Sequence, residues 1–327
     1  MIIRDRSPLE GTPILAIVGP TAAGKTHFAI EIAKRIDGEV IGLDSRQMYA
    51  GMEIGTAQPS QEEQAQVLHH LVGVRLPHQA ISAGEYVRLV EGVVEDILQR
   101  KHQPILCGGA GLYYRALRQG IFIGSTTNLE VRAKLEKEYD TLGGEVLLKR
   151  LRTLDPAYAG IVHPNNKKRL IRALEIFEST GAPPSVHFQR QKQEQQESII
   201  NMYTVLITME MRKLEERIAR RTEAMLAAGW VGEVERLRST GSIDNVHPSD
   251  SIGYHQIKRH LEGVLTYREM VEEINTKTRQ YARKQLKWFQ KEPINITIDL
   301  TDVEDLSEPV NEVIHRFKSF LKGQDPS

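Results

Sequence analysis

Apolar residues follow two rhythms along the chain. Short unbroken runs stand at Ile14-Leu15-Ala16-Ile17-Val18, Glu39-Val40-Ile41-Gly42-Leu43 and Pro104-Ile105-Leu106-Cys107. Each reads as a strand buried on both faces. Between them, Phe28, Ala29, Ile32, Ala33 and Ile36 recur at helical spacing, as do Tyr86, Leu89, Val90, Val93, Val94 and Ile97. Ser60 with Glu63, and Ser82 with Glu85, form candidate capping boxes, the first opening a helix toward His69. Strands alternating with helices predict an α/β parallel sheet flanked by helices.

From about residue 121 the strand signal stops, and 129–180 reads as all-helical. Gly181-Ala182-Pro183-Pro184 is expected to end the last of these helices, with Gln189 to Ser198 a polar, mobile linker. A buried strand returns at Tyr203 to Met209. Helices are then expected over about Arg212 to Ala228 and Thr266 to Phe289, a last strand over Ile294 to Ile298, and a terminal helix. The expected organisation is a core from 1–120 and 201–327, with a helical insertion at 121–200. No internal repeat is visible.

Gly19-Pro20-Thr21-Ala22-Ala23-Gly24-Lys25-Thr26 follows the first strand and opens the first helix. It matches G-x-x-x-x-G-K-[ST], the loop whose backbone N–H groups and helix N-terminus cradle phosphates. Lys25 is placed to reach an outer phosphate, and the Thr26 hydroxyl to ligate Mg²⁺. The sheet is therefore expected to be P-loop NTPase-like. The motif fixes a phosphorylated ligand but not which one.

Composition narrows the partners. Lys plus Arg and Asp plus Glu both number 43, so any polyanion must be met by local patches. The single cysteine, Cys107, lies in a strand-like run and reads as a buried, inert thiol. No apolar run is long enough to span a bilayer, and Met1-Ile2-Ile3-Arg4-Asp5-Arg6 lacks a signal-peptide core. A cytoplasmic protein is the expectation. His69-His70 has no third ligand at useful spacing, which speaks against a metal site.

Other groups carry chemistry with open alternatives. Asp44 ends the second strand, where ligands gather in open parallel sheets. A carboxylate there suits Mg²⁺ or a general base, and it also suits a plain turn. Arg217 and Arg221 share a helix face and suit either a diphosphate clamp or a solvated surface. Lys167-Lys168-Arg169-Leu170-Ile171-Arg172 opens a helix of the insertion, with Leu170 and Ile171 turned toward its core. Arg279, Arg283 and Lys287 form a second basic stripe, interleaved with Tyr281, Trp288 and Phe289. Both suit nucleic acid, and both suit an ordinary solvated helix.

Taken in order, the phosphate loop, Asp44 to Tyr49, Gly55 to Pro59, His69 to Leu71 and Gly108 to Tyr113 resemble the tRNA dimethylallyltransferase (isopentenyl-transferase) family. The resemblance continues through His163 to Asn165, Arg169 to Glu175, Arg217 to Met225, Ile252 to Tyr254 and Thr278 to Gln285 with Trp288 and Phe289. It implies transfer of a dimethylallyl group from its diphosphate to N6 of adenosine 37, in tRNAs reading codons that start with U. It implies that the loop grips the diphosphate of the prenyl donor, that Mg²⁺ on Thr26 is the cofactor, and that Asp44 is the general base. Arg221, with Arg217, then lies near the diphosphate. Asp44, Ser45, Arg46 and Gln47 are implied to contact a flipped nucleotide, and Lys168, Arg169, Leu170, Ile171 and Arg172 the anticodon stem-loop. Ala110 and Arg132 match two more tRNA contacts, and Arg279, Arg283 and Lys287 are read as tRNA-binding with them. The implied partners are tRNA and dimethylallyl diphosphate, with no membrane, and a monomer is expected. Three positions depart from the family's usual pattern: Ala110 stands for Thr, Gln58 for Lys and Gly73 for Asp. Competing readings are a small-molecule P-loop kinase, an adenylate isopentenyl-transferase acting on a free nucleotide, and a non-catalytic RNA-binding protein.

Overall fold

The computed structural model describes residues 13–120, 128–194, 200–241 and 247–323. The N-terminal hexapeptide considered above and residues 195–198 of the polar stretch lie outside them. Two compact units form, Met1–Arg118 with Ile199–Ser327, and Gln119–Ser198.

The first unit begins with β1 (Pro13–Val18), α1 (Lys25–Ile36), β2 (Gly38–Leu43), α2 (Gln61–Gln66), β3 (His69–His70), α3 (Ala83–Gln99), β4 (Gln103–Gly108) and α4 (Gly111–Gln119). The second contains α5 (Leu129–Leu142), α6 (Gly144–Leu154), α7 (Pro156–Ala159), α8 (Lys167–Thr180) and α9 (Pro184–Glu194). The chain then returns through β5 (Asn201–Thr208), α10 (Met211–Ala227), α11 (Trp230–Ser239), α12 (Tyr254–Leu261), α13 (Tyr267–Phe289), β6 (Ile296–Asp299) and α14 (Ser307–Leu321).

All strand pairs are parallel, in the order β3-β2-β4-β1-β5-β6. Because β1 is apolar at every position from Ile14 to Val18, it can sit in the interior with both faces covered. Its odd positions Leu15 and Ile17 join one cluster with α1, α10 and α14, through Phe28, Ile32, Leu214 and Phe317. Its even positions Ile14, Ala16 and Val18 join the opposite cluster with α3 and α4, through Tyr86, Val90, Ile97 and Tyr114. A third cluster gathers α11, α12 and α13 against Tyr49 and Met52. The second unit has its own core, formed by residues such as Leu135, Leu148, Leu151, Leu170 and Leu174.

The register fixes where the chemistry lies. Leu43 pairs with Gly108, Gly108 with Val18, and Val18 with Leu206. The next residues, Asp44, Gly109 and Gly19, therefore leave the sheet side by side at its C-terminal edge. Order reverses at β1, since the chain first builds strands on one side of it and later on the other. Ligands of open α/β sheets sit at such a switch point.

Several sequence expectations need correction. The helix opened by Ser60 has its full capping box but stops at Gln66, and Val67 is already extended. His69 and His70 are instead an edge strand beside β2. The imidazole of His70 pairs with the buried Glu39 carboxylate, which Arg100 also bridges. Ser82 caps α3, but Glu85 turns away to an ion pair with Arg75 at 2.8 Å, leaving half a box. Gly181, at φ 71°, does end α8, but Pro184 then opens another helix, a role that suits its fixed φ and missing N–H. Residues 189–194 are thus helical rather than a linker. The last strand starts two residues later than its apolar run, at Ile296. Asn295 precedes it and brackets Thr204, its N–H donating to the carbonyl and its Oδ1 accepting from the N–H. Among the described residues, no helix is long and apolar enough to cross a membrane.

Glu233 on α11 closes the fold around the third cluster. Its side chain is 1% exposed and accepts from Ile54 N–H (2.8 Å), Gly55 N–H (2.9 Å) and the Tyr254 hydroxyl (2.7 Å). Removing this acceptor strands the two N–H donors, while the Tyr254 hydroxyl keeps the Met52 carbonyl at 3.2 Å. Glu233→Ala is therefore expected to cost about 3 kcal/mol in chemical denaturation. A cost below about 1 kcal/mol would show that water replaces the carboxylate.

Candidate active site

The phosphate loop leaves β1 through Gly19, whose φ of 147° brings its backbone against β5. A Cβ at this position would stand 2.4 Å from the Ile207 carbonyl oxygen, so only glycine fits. Gly24, at φ 97°, caps α1 without a side chain, and its N-terminal N–H groups face the loop's concavity. The Lys25 ammonium folds back and donates to the Pro20 carbonyl at 2.8 Å.

Three cations converge here. Arg221 on α10 reaches the Thr21 hydroxyl at 3.2 Å. Arg217, one turn earlier, lies against Gly24, its guanidinium 3.5 Å from where a Cβ would stand. Burial pulls all three groups below their ordinary pKa values. For Arg221 the nearby Asp44 charge opposes the pull, and for Arg217 Arg220 adds to it. Burial brings Lys25 down to about 8, with Arg221 adding to the fall. Cations held this way, with so little compensating charge, make a preformed anion site. The Cys107 thiol, beneath the loop, is pushed up to about 12 by burial and is inert at neutral pH.

Asp44 makes the turn that its sequence allowed. Its Oδ1 accepts from the Arg46 N–H (2.7 Å) and the Gln47 N–H (3.3 Å), forming an Asx turn. Oδ2 has no hydrogen-bond partner among the described residues. The turn thus orients the carboxylate and leaves one oxygen for chemistry. The Gln47 amide meanwhile holds the Thr56 and Ala57 carbonyls at 3.3 and 2.7 Å.

A cavity of about 330 Å³ opens at this edge. Thr21, Asp44, Ser45, Arg46 and Arg221 are among its polar lining. Ile218, Met225, Trp230, Ile252 and Ile274 are among its apolar lining, and Tyr281 lines it as well. Such a lining can hold an anion and a small hydrocarbon together, with a carboxylate beside them.

Gln285 is the residue the sequence did not single out. It is 6% exposed on α13. Its Oε1 accepts from the Thr21 N–H at 2.8 Å, and its Nε2 donates to the Gly109 carbonyl at 3.0 Å. It therefore clasps the phosphate loop to the turn after β4. A buried amide in an otherwise basic, exposed stripe was the available signal. Ala110, next to that turn, donates its N–H to the Leu43 carbonyl at 3.0 Å.

The basic groups fare differently. On α13, Phe289 is fully buried and Trp288 is partly buried under the Arg115 guanidinium, leaving Tyr281 exposed to 41%. Arg283 pairs with Glu215 at 2.7 Å, Arg279 donates to the Thr276 hydroxyl, and Lys287 is exposed. In the second unit, Arg132 and Arg172 both pair with Glu175, at 2.9 and 3.0 Å. Glu175 is itself fully buried and also accepts from the Asn128 N–H. Lys168 and Arg169 lie on the outer side of α8. Leu170 and Ile171 are corrected: at 0% and 3% exposure they pack into the core of the unit, as helical spacing requires, and their side chains are closed to RNA.

The sequence model of the family described as IPP transferase matches residues 47–292. A tRNA dimethylallyltransferase of Syntrophobacter fumaroxidans is 37% identical over 90% of this chain and 85% of its own length. One from Halorhodospira halophila is 39% identical over 88% and 93%. The chain belongs to the tRNA dimethylallyltransferase family. Among solved structures, the full-length tRNA isopentenylpyrophosphate transferase of Bacillus halodurans is 35% identical, with a TM-score of 0.68 over 95% of this chain and 96% of that one. A eukaryotic dimethylallyltransferase, captured acting on tRNA, has a TM-score of 0.81 at 25% identity over 95% and 80%. Within the dimethylallyltransferase pattern, two departures prove to be neighbours. A Cβ on Gly73, at φ 62°, would stand 3.5 Å from the Gln58 Oε1.

Two outcomes are expected. Gln285→Ala loosens the loop, so the KM for a diphosphate donor rises about tenfold while the fold persists; an unchanged KM would show that the clasp is incidental. The depressed Lys25 pKa means that the unfolded chain binds more protons between pH 8 and 10.5. Stability contributed by this residue therefore rises with pH across that window. Denaturation midpoints should climb there in the wild type relative to Lys25→Met, and parallel curves would contradict the desolvation.

Proposed function

We propose that this protein transfers the dimethylallyl group of dimethylallyl diphosphate to N6 of adenosine 37, in tRNAs that read codons starting with U. The cavity carries the reading, because Thr21 and Ala22 of the phosphate loop, Arg46, Arg221 and the Asp44 carboxylate line it together with apolar side chains. Family membership supports it, and nothing in the site favours the kinase or free-nucleotide alternatives.

The loop N–H groups, Lys25 and Arg221 hold the diphosphate, with Arg217 behind Gly24. As the C1–O bond stretches, negative charge grows on the leaving diphosphate and positive charge on the allylic carbon. The buried cations stabilise the first where water would do so weakly. Adenine N6 is conjugated with its ring and a weak nucleophile. Asp44 Oδ2 orients it and takes its proton as the C–N bond forms. The base must leave its stack to reach this point, and Ser45, Arg46 and Tyr281 border the space it enters.

Mg²⁺ prefers hard oxygen ligands and keeps waters and substrate oxygens in its shell. No group of three His, Cys, Asp or Glu side chains gathers among the described residues. The donor present, the Thr26 hydroxyl at the start of α1, fits a cation shared with a diphosphate. Thr26 would hold it, and when bound it supplies positive charge to the leaving group. Lys168, Arg169 and Arg172, with Arg132 and the Arg279, Arg283 and Lys287 stripe, supply phosphate contacts to the anticodon stem-loop. Glu175 fixes two of these arginines at the cost of one of their charges. A cytoplasmic location follows from a tRNA substrate.

The direct test incubates the protein with Mg²⁺, unmodified tRNA and dimethylallyl diphosphate, then analyses nucleosides by mass spectrometry. Prenylated adenosine is expected. Its absence, with phosphoryl transfer from ATP to some acceptor, would favour a kinase. Asp44→Asn should lower kcat by roughly 100- to 10,000-fold and leave tRNA affinity almost unchanged. That affinity should also fall steeply with salt, and a flat salt response would remove the basic patches from the interface.

A further inference from the structure

Phe188 stands apart from the other rings of the second unit. It lies on α9 and is 40% exposed. Among the described residues of that unit, no other phenylalanine, tyrosine or tryptophan is exposed. A lone exposed phenylalanine is ordinary. This one is built in. Its ring rests on Tyr158, with centroids 5.5 Å apart and planes tilted by 39°. Tyr158 packs in turn against the core of the unit.

The two helices that carry these rings share one anchor. Asp155 is 2% exposed, and its Oδ1 accepts from the Tyr158 N–H at 2.9 Å while its Oδ2 accepts from the Ser185 N–H at 2.7 Å. His187, buried next to Phe188, is hydrogen-bonded through Nε2 to the Thr180 hydroxyl at 2.9 Å. With its neighbour turned inward, Phe188 faces out. The ring pair is therefore fixed before any partner arrives, and binding to it costs little side-chain freedom.

The charge beside the rings selects the partner. Arg169 is exposed near the start of α8, and its charge opposes the rise that burial gives the Tyr158 phenol, so its guanidinium lies close to that ring. Lys168 and Arg190 are exposed as well. An unstacked base presents a flat π-face to a phenyl ring and its phosphate to neighbouring cations, and aromatic rings with arginines are how proteins hold open RNA loops.

We propose that Phe188, backed by Tyr158, is a stacking platform for an unpaired base of the anticodon loop. This base is not the adenosine that is modified, since that one enters the cavity of the first unit. The inference rests on the tRNA reading above and adds a base contact to its phosphate contacts. Every base has a π-face, so the platform favours an open loop over a duplex without fixing the loop's sequence.

The test measures binding of the full-length protein to two RNAs by fluorescence anisotropy, first at fixed salt and then over a salt series. One RNA is the anticodon stem-loop, and the other is a blunt duplex of the same stem without its loop. Phe188→Ala is expected to weaken stem-loop binding about tenfold and duplex binding hardly at all. The slope of log Kd against log salt should keep its wild-type value, because no phosphate contact is lost, whereas Arg169→Ala should flatten it. Phe188→Trp should restore the affinity. Phe188→Leu should not, because leucine keeps apolar cover on Tyr158 but has no π-face. Equal stem-loop affinity in the wild type and Phe188→Ala would overturn the proposal and leave the tRNA reading standing. A Phe188→Leu protein that binds like the wild type would overturn it as well, by showing that the ring only packs. A wild type that does not bind the stem-loop would sink both.

Discussion

The structure depends on holding positive charge out of water. Lys25, Arg217 and Arg221 crowd one end of a parallel sheet, and burial depresses the pKa of all three. Unpaired buried charge costs stability, so the surrounding fold must be rigid enough to keep it. Two well-packed apolar layers on either side of β1 supply that rigidity. A bound diphosphate relieves the strain. In the proposed reaction the same cost would become affinity for a leaving group whose negative charge grows.

Much of this was legible in the chain. A phosphate loop between an apolar run and a helix fixes its own geometry, and β1 with α1 followed. Asp44 at the end of a second apolar run had to reach the same edge, once parallel pairing is assumed. The register of Leu43, Gly108 and Val18 is what brings it there. The two arginines four residues apart on α10 could not be resolved from spacing alone. Only the packing of α10 against the loop turns their face inward.

Other features were hidden because they depend on contacts far apart in sequence. Gln285 bridges Thr21 and Gly109 across separations of 264 and 176 residues. Glu233 ties α11 to a loop that precedes it by 178 and 179 residues. No local pattern announces such partners. Local signals also misled where tertiary pairing outweighed them. Glu85 left its capping box for Arg75, and the polar stretch after Pro184 became helix because proline starts a helix as readily as it ends one. The basic cluster at the start of α8 mixed two roles that helical spacing separates, with Lys168 and Arg169 facing outward and Leu170 and Ile171 inward.

Proton uptake on donor binding tests the central claim most directly. Titration calorimetry at pH 8, in buffers of different ionisation enthalpy, gives the protons exchanged when dimethylallyl diphosphate binds without tRNA, so that no transfer follows. With Lys25 near pKa 8, the wild type should take up about half a proton more than Lys25→Met, as anion binding restores the ammonium. Equal uptake by the two proteins would mean that Lys25 is already fully charged before the donor arrives, and the account of a desolvated cation cluster would be wrong.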